Sequence, residues 1–154
     1  MLETEVLDKL RKSGLTIAVA ESCTGGRICD KLTNVPGSSD IFRGGVVTYS
    51  NDSKMNLLGV SHVTIREHGS VSSQCAMEMV GGVVRLFNAD VGLAVTGIAG
   101  PGGATETKPV GLVFIALSYK EERIFFKMEL EGDRESVKKQ ATNEALQLTF
   151  DFIP

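Results

Sequence analysis

The sequence predicts an α/β protein, a three-layer α/β/α sandwich built on a mixed, mostly parallel sheet of about five strands. Short apolar runs alternate along the chain with stretches whose apolar residues recur every three or four positions, as strands alternating with helices do. Two of the apolar runs end in turns of small residues, where ligands bind in many α/β proteins. With 154 residues, 42% of them hydrophobic, we expect one compact domain over residues 1–154.

The first third of the chain predicts a helix, a strand and a second helix. The first helix shows an apolar stripe that stops before Gly14, made of Leu2, Val6, Leu7 and Leu10. Residues 15–20 are almost wholly apolar and predict the first strand. A helix over about 24–33 should then end at residues 34–37, because Pro36 and Gly37 form turns.

The middle of the chain predicts two more strands and two more helices. Residues 45–50 form a run of β-branched and aromatic type, and a short helix follows over about 52–58. Ser72 can cap a longer helix whose apolar positions are Ala76, Val80, Val83, Val84 and Phe87. The pair Gly81-Gly82 weakens that helix by about 0.5 to 1 kcal/mol per glycine, so we expect close packing there, for example at a subunit contact.

The last third predicts a strand, an antiparallel hairpin and a final helix. Residues 91–96 are apolar and lead directly into a glycine-rich loop. Residues 110–118 and 123–130 are separated by the polar turn 119–122, which is typical of a hairpin. Asp133 can begin a helix with one apolar face, formed by Val137, Ala141, Ala145 and Leu148.

Composition and charge exclude several function classes. A net charge of −3 and the absence of tryptophan argue against nucleic-acid binding, which needs a basic surface. No stretch approaches the about 20 apolar residues of a membrane span, and the acidic start of the chain is unlike a signal peptide, so we expect a cytoplasmic protein. The three cysteines show no C-x-x-C spacing, and no His, Cys, Asp and Glu cluster has ligand spacing. We therefore expect reduced thiols and neither a metal nor a cofactor.

The most informative motif is AESCTGG, residues 20–26, which directly follows the first predicted strand. It places two candidate nucleophiles, Ser22 and Cys23, where a strand turns into a helix. Unpaired N–H groups at such a turn attract anions and developing negative charge, and those around Thr24, Gly25 and Gly26 are candidates for this task. The alternative is structural, with a hydroxyl capping the helix and the glycines allowing tight packing.

A second glycine-rich turn, residues 97–103, follows the strand predicted over 91–96. Its four glycines leave backbone N–H groups open to a phosphate or an oxyanion. The loop is neither a Walker loop nor a dinucleotide-binding fingerprint, because no G-K-[ST] follows and the chain leads into another strand. The two turns therefore predict one shared site at the carboxyl edge of the sheet.

Four motifs in order carry a resemblance to a known family: AESCTGG, GGVVTYSN with Lys54 three residues later, VTGIAGPGG and KPVGLVFIAL. The chain resembles, over nearly its whole length, the CinA C-terminal domain family, the nicotinamide mononucleotide deamidases also called PncC. The resemblance implies a three-layer α/β/α fold and hydrolysis of nicotinamide mononucleotide to nicotinic acid mononucleotide and ammonia. It also implies pyridine nucleotide recycling, chemistry without a metal, and a homodimer or higher homo-oligomer.

Amide hydrolysis needs a nucleophile, a base and donors for the oxyanion. Ser22 and Cys23 compete for the first role, and the resemblance favours Ser22. His62 and His68 lie in a polar stretch away from the glycine loops, so we expect surface or structural roles for them. Lys54 is the better base, because a lysine enclosed near a site can have a lowered pKa, although a solvated lysine is the alternative. The resemblance pairs Lys54 with the serine.

The remaining candidates concern proton transfer and substrate binding. Tyr49 could relay the proton or orient the lysine, and Glu21 could either order the turn or contact the ribose. Lys108 and Arg134 are candidates for the 5′-phosphate, with a solvated surface charge as the alternative for each. We further expect substrate contacts at a set of residues around the two turns: Thr24, Gly25, Gly26, Asn51, Thr96, Gly97, Gly100 and Gly102.

Two function classes remain open on the sequence alone. The first is an amidohydrolase that acts on a pyridine mononucleotide, a small-molecule substrate, with no nucleic-acid or membrane partner. The second is a nucleotide-binding regulatory module that keeps the pocket and has lost catalysis. The presence of Ser22, Tyr49 and Lys54 together favours the enzyme, because a binding module does not need all three.

Overall fold

A computed structural model describes the whole chain, residues 1–154. Its helices are α1 (Leu2–Ser13), α2 (Arg27–Thr33), α3 (Asn51–Leu58), α4 (His62–His68), α5 (Ser73–Phe87) and α6 (Arg134–Phe152). Its strands are β1 (Ile17–Glu21), β2 (Phe42–Val47), β3 (Val91–Gly97), β4 (Leu112–Tyr119) and β5 (Glu122–Glu129). The five strands form a single sheet in the order β2-β1-β3-β4-β5.

The sheet is mixed, as predicted. Strand β1 pairs in parallel with both β2 and β3, whereas β4 pairs antiparallel with β3 and β5. Strands β1 and β3 are buried along nearly their whole length, which explains their continuous apolar sequences. The edge strands β2 and β5 alternate between more and less exposed residues. The parallel strands bring the carboxyl ends of β1, β2 and β3 to one edge, where the predicted turns lie.

Helices cover both faces of the sheet and complete the three layers. On one face, 21 buried apolar residues join the sheet to α1, α2 and α6. On the other, 14 buried residues join it to α5, to Leu58 at the end of α3 and to Val60 in the loop before α4. The α/β/α sandwich predicted from the alternating pattern is thus confirmed. No helix is long and apolar enough to cross a membrane.

The close packing expected at the pair Gly81-Gly82 is found within the chain. A Cβ atom on Gly82 would lie 2.0 Å from the carbonyl oxygen of Leu58, at the end of α3. A Cβ atom on Gly81 would lie 2.5 Å from the guanidinium of Arg123. The missing side chains let α5 approach α3 and β5 closely, which offsets the helix propensity lost at the two positions.

The structure corrects several predicted boundaries near the site. Strand β2 covers 42–47 and not 45–50, because Ser50 caps α3 in a reciprocal hydrogen-bonded box with Ser53 and the chain leaves the sheet first. Helix α2 begins at Arg27 and not near residue 24, because residues 22–26 form a separate turn. Helix α4 was not predicted at all, since five of its seven residues are polar and most of the helix is exposed.

Candidate active site

A cavity of about 280 Å³ opens where β1 and β3 end. This volume lies near the lower end of the roughly 300 to 1,000 Å³ that is usual for small-molecule sites. Its walls contain two cationic side chains and no carboxylate, which suits an anionic ligand. The lining residues are Ser22, Cys23, Tyr49, Lys54, Ser70, Val71, Thr96, Gly97, Ile98, Ala99, Gly100, Gly102, Gly103 and Arg134.

Ser22 and Lys54 meet at the floor of this cavity. The Lys54 ammonium nitrogen, Nζ, lies 2.9 Å from the Ser22 hydroxyl oxygen, Oγ, at hydrogen-bond distance. Ser22 is the first residue after β1, and its N–H donates to the carbonyl of Val95 in β3, at 3.0 Å. Lys54 comes from the first turns of α3, which the capping box at Ser50 fixes in place. Both residues are therefore held by rigid elements.

Lys54 is almost completely enclosed, with 2% of its surface exposed. No carboxylate forms an ion pair with it, and its second contact is the backbone carbonyl of Thr48, which accepts a hydrogen bond from Nζ at 2.7 Å. Burial disfavours the charged form and therefore lowers the pKa of Lys54, only partly opposed by the nearby Cys75 and Cys23. A lysine with a lowered pKa next to a serine hydroxyl is suited to general-base catalysis.

The turn between Ser22 and α2 is organised by Glu21. Its side chain is fully buried, and one carboxylate oxygen accepts hydrogen bonds from the Thr24 hydroxyl (2.6 Å) and from the N–H groups of Gly26 and Ile28 (3.1 Å each). The other oxygen accepts from the N–H of Cys29 at 3.0 Å. Of the two predicted roles of Glu21, this geometry supplies turn ordering, because no part of the carboxylate faces the cavity.

The N–H groups available for an oxyanion differ from those expected. Gly25 donates its N–H to the carbonyl of Ser22 at 3.1 Å, and the N–H of Gly26 is taken by Glu21, so neither is free. The N–H groups of Cys23 and Thr24 make no hydrogen bond within the chain. Thr24 itself is fully buried and, like the two glycines, does not line the cavity. The donor that is both free and on a cavity-lining residue is thus the N–H of Cys23, directly after the nucleophile, and not those of the three residues predicted.

The glycine loop forms another part of the wall and also keeps its donors open. The N–H groups of Ala99, Gly100, Gly102 and Gly103 make no hydrogen bond within the chain. Gly100 has a φ of +86°, and a Cβ atom there would lie 2.5 Å from Val110, so only glycine fits. A wall of free N–H groups without side chains is a suitable contact for phosphate or carboxylate oxygens.

Tyr49 and Arg134 close one side of the cavity mouth. Arg134, the first residue of α6, donates to the carbonyl of Gly100 at 2.7 Å and to the Tyr49 hydroxyl at 2.9 Å. Tyr49 is 63% exposed and makes no hydrogen bond to Lys54. The orientation of Lys54 is therefore set by the Thr48 carbonyl and not by Tyr49. Arg134 lies at the site although its position on an exposed helix turn also fitted a solvated charge.

Thr96 borders the cavity, but its hydroxyl is already committed. It is 1% exposed, and its Oγ1 donates to the carbonyl of Ser70 at 2.8 Å. The bond fastens the segment before α5 to the end of β3, so that Ser70 and Val71 line the cavity. Sequence reasoning missed both residues, because the segment before α5 has no motif and reaches the site only through tertiary packing.

The rival nucleophile and the rival bases are placed less favourably. Cys23 lines the cavity, but burial raises the pKa of its thiol to about 11, so it stays protonated near neutral pH. His62 and His68 are exposed at the two ends of α4 and do not line the cavity. Lys108 lies outside it as well and contacts the carbonyl of His68.

The structure thus brings together most of the residues that the sequence singled out. The cavity walls contain Ser22, Tyr49, Lys54, Thr96, Gly97, Gly100, Gly102 and Arg134. Five expected substrate contacts lie outside the walls: Glu21, Thr24, Gly25, Gly26 and Asn51. Nowhere do three His, Cys, Asp or Glu side chains converge in a way that could hold a metal ion.

Comparison with known proteins decides the family. The profile of the CinA C-terminal domain matches residues 1–153 of this chain. The chain belongs to the CinA C-terminal domain family. Within the family, it is 49% identical over 148 residues to a putative competence-damage inducible protein of Caldicellulosiruptor bescii, covering 96% of this chain and 36% of that protein. A CinA-like protein of Dictyoglomus thermophilum is 48% identical over 152 residues, covering 99% and 36%.

Solved structures of CinA superfamily proteins have the same fold. The structure from Klebsiella pneumoniae 700603 superimposes with a TM-score of 0.96 at 34% identity, covering 99% of this chain and 95% of that one. The competence/damage inducible protein CihA from Agrobacterium tumefaciens gives 0.94 at 37% identity, covering 97% and 92%. The chain spans about a third of the length of the curated relatives it matches. For the Caldicellulosiruptor protein, the match covers 36% of that protein's length.

Proposed function

We propose that this CinA-family chain is a serine amidase that hydrolyses the carboxamide of nicotinamide mononucleotide to nicotinic acid mononucleotide and ammonia. The observation that carries the proposal is the enclosed pair of Ser22 Oγ and Lys54 Nζ, 2.9 Å apart at the end of β1. Such a pair supplies a nucleophile and its base. The family resemblance supplies the substrate.

In the first half of the reaction, neutral Lys54 takes the proton from the Ser22 hydroxyl as Oγ attacks the carboxamide carbon. The resulting oxyanion can accept a hydrogen bond from the free N–H of Cys23. Lys54 then gives its proton to the amide nitrogen, the carbon–nitrogen bond breaks, and ammonia leaves. The substrate's acyl group is now an ester on Ser22.

In the second half, a water molecule attacks the ester and passes a proton to Lys54. The bond between the acyl carbon and Oγ breaks, Lys54 returns the proton to Ser22, and the carboxylic acid product ionises on release. The Thr48 carbonyl keeps one Lys54 N–H occupied, which leaves the lone pair of the neutral amine free to face Ser22. Tyr49 is placed at the mouth, where its hydroxyl can relay protons to or from solvent.

The mononucleotide part of the substrate can be held by Arg134 and the glycine loop. Arg134 keeps further guanidinium N–H groups beyond the two it donates to Gly100 and Tyr49, and these can pair with phosphate oxygens. The free N–H groups of the glycine loop lie beside it and accept the same kind of ligand. A role in pyridine nucleotide recycling, in the cytoplasm and as a homo-oligomer, completes the proposal.

The test is release of ammonia from nicotinamide mononucleotide by the purified chain, compared with Ser22→Ala and with Cys23→Ala as the adjacent control. We expect activity in the wild type and in Cys23→Ala, none in Ser22→Ala, and no loss on exhaustive chelation. Binding of the mononucleotide without any ammonia release by the wild type would instead establish the regulatory module. An active Ser22→Ala variant would overturn the serine mechanism.

A further inference from the structure

Four hydroxyl side chains line the cavity, and three of them are committed. The Ser22 hydroxyl meets Lys54, the Tyr49 hydroxyl accepts from Arg134, and the Thr96 hydroxyl donates to the backbone. The Ser70 hydroxyl makes no hydrogen bond within the chain, although Ser70 is half-buried in the cavity wall. It is the one lining hydroxyl that makes no hydrogen bond within the chain.

The backbone that carries Ser70 is held rigidly. Three successive carbonyls in this segment each accept a hydrogen bond from a side chain elsewhere. Lys108 contacts the carbonyl of His68, the Ser72 hydroxyl donates to Gly69 at 2.8 Å, and the Thr96 hydroxyl donates to Ser70 at 2.8 Å. A segment fixed at three consecutive positions presents its one free hydroxyl in a defined place, at little entropic cost on binding.

The position of Ser70 relates it to the reacting end of the substrate. Its anchor, Thr96, is the penultimate residue of β3, and the residue before Thr96 accepts the N–H of the nucleophile Ser22 at 3.0 Å. Arg134 is tied instead to the glycine loop, through its hydrogen bond to the carbonyl of Gly100. Ser70 is thus fastened, through Thr96, to the same end of β3 that holds Ser22.

We propose that Ser70 binds the carboxamide of the substrate, with its hydroxyl oxygen accepting a hydrogen bond from the amide NH₂ group. A hydroxyl can donate and accept, and it is uncharged, so it suits an amide and not a phosphate, which the cations and N–H groups serve better. The inference rests on the proposed amidase function and adds to it a residue that recognises the bond to be broken. Ser70 holds the amide while Ser22 attacks the adjacent carbon.

The expected effect on KM and kcat depends on the stage of the reaction at which the hydrogen bond from the amide to Ser70 is present. A hydrogen bond present before and during attack contributes equally to the ground state and the transition state, so its loss raises KM and leaves kcat nearly unchanged. One neutral hydrogen bond corresponds to an increase in KM of about three- to tenfold. We expect that increase in Ser70→Ala, with an unchanged melting temperature. Ser73→Ala is the matched control, because Ser73 lies outside this cavity.

A second pair of variants separates the hydroxyl from the shape of the side chain. Ser70→Thr and Ser70→Val add the same bulk and differ only in the hydroxyl. We expect the KM of the threonine variant to be about three- to tenfold below that of the valine variant. Measurements with nicotinamide mononucleotide and with nicotinamide riboside should give the same factor for Ser70→Ala, because both substrates carry the amide and only one carries phosphate.

The outcomes are distinct. A KM penalty confined to the phosphorylated substrate would place Ser70 at the phosphate and overturn the proposal. The proposal would also be overturned by equal KM values for Ser70→Ala and the wild type, or for the threonine and valine variants. A loss of both kcat and stability in Ser70→Ala would overturn it as well. A wild type that releases no ammonia would overturn the proposed function and this inference together, whereas an active wild type with an unaffected Ser70→Ala would overturn only this inference.

Discussion

The turn that carries the nucleophile depends on one buried carboxylate, and this dependence can be measured through Glu21→Gln. The replacement keeps the size of the side chain and removes its charge. The amide oxygen of the variant can still accept hydrogen bonds from Thr24, Gly26 and Ile28. In the wild type, the second carboxylate oxygen accepts from the N–H of Cys29 at 3.0 Å, and in the variant an NH₂ group faces that N–H instead. One hydrogen bond is lost and three are converted from charge-assisted to neutral bonds.

The magnitude follows from these four bonds. A hydrogen bond to a charged group contributes about 1.5 to 3 kcal/mol and a neutral one about 1 kcal/mol, so the variant loses about 5 kcal/mol of gross interaction. Relief from burying a charge returns part of this, and we expect a net loss of about 3 kcal/mol. That is a large share of the about 5 to 15 kcal/mol that stabilises a typical domain.

Urea unfolding measures the effect, with Glu135→Gln as the control. With a slope of about 2 kcal/mol per molar urea, the Glu21→Gln midpoint should fall by about 1.5 M. Glu135 is a surface residue paired with Arg27, so its replacement should cost less than about 1 kcal/mol. Activity of Glu21→Gln should fall at least about tenfold, because small displacements of a nucleophile are costly. Unchanged stability with a raised KM would refute turn ordering and restore the ribose contact.

Three further predictions concern the residues around the nucleophile. Activity should rise with pH through an apparent pKa below the ordinary lysine value of 10.5, because burial lowers the pKa of Lys54 and only the neutral amine accepts a proton. The free energy of unfolding should rise over the same pH window, since the unfolded chain binds more protons there. Lys54→Met should remove both pH trends and lower kcat by orders of magnitude. A pH profile that survives in Lys54→Met would contradict this assignment. Thr48→Val should raise the free energy of unfolding by about 1 kcal/mol, because the buried Thr48 hydroxyl has no hydrogen-bond partner. The variant should keep its activity, because only the backbone carbonyl of Thr48 contacts Lys54. A large loss of kcat would show that the hydroxyl acts in catalysis. Cys23 should resist alkylation at pH 8, since its thiol is buried and its pKa is raised to about 11. Rapid inactivation by iodoacetamide in the wild type but not in Cys23→Ala would contradict this prediction.

The fold was predictable because its elements have clear apolar periods. The continuous apolar strands β1 and β3 and the striped helix α5 follow directly from their sequences. Helix α4 was missed, because its exposed polar residues carry no apolar period and its existence depends on packing against α5. The end of β2 was placed three residues late, because the capping box of α3 overrides the strand propensity of residues 48–50.

The site was most directly predictable where residues follow strand ends. Ser22 and the glycine loop follow β1 and β3, so their convergence is a consequence of the parallel pairing. The Thr48 carbonyl that orients Lys54 leaves no signal in a sequence, because every residue has a carbonyl. Ser70 reaches the cavity through its bond to Thr96, a contact between residues 26 positions apart. The free N–H of Cys23 likewise depends on how Glu21 folds the turn.

The most direct test of the central claim is a search for the acyl group on Ser22. The enzyme is mixed with nicotinamide mononucleotide, quenched in acid during the first turnover, and its peptides are mapped by mass spectrometry. The Ser22–Lys54 pair predicts an ester on the peptide that contains Ser22, at Ser22 itself, and no adduct in Ser22→Ala. An acyl group on Cys23, or ammonia released in the first turnover without any ester on Ser22, would contradict the account.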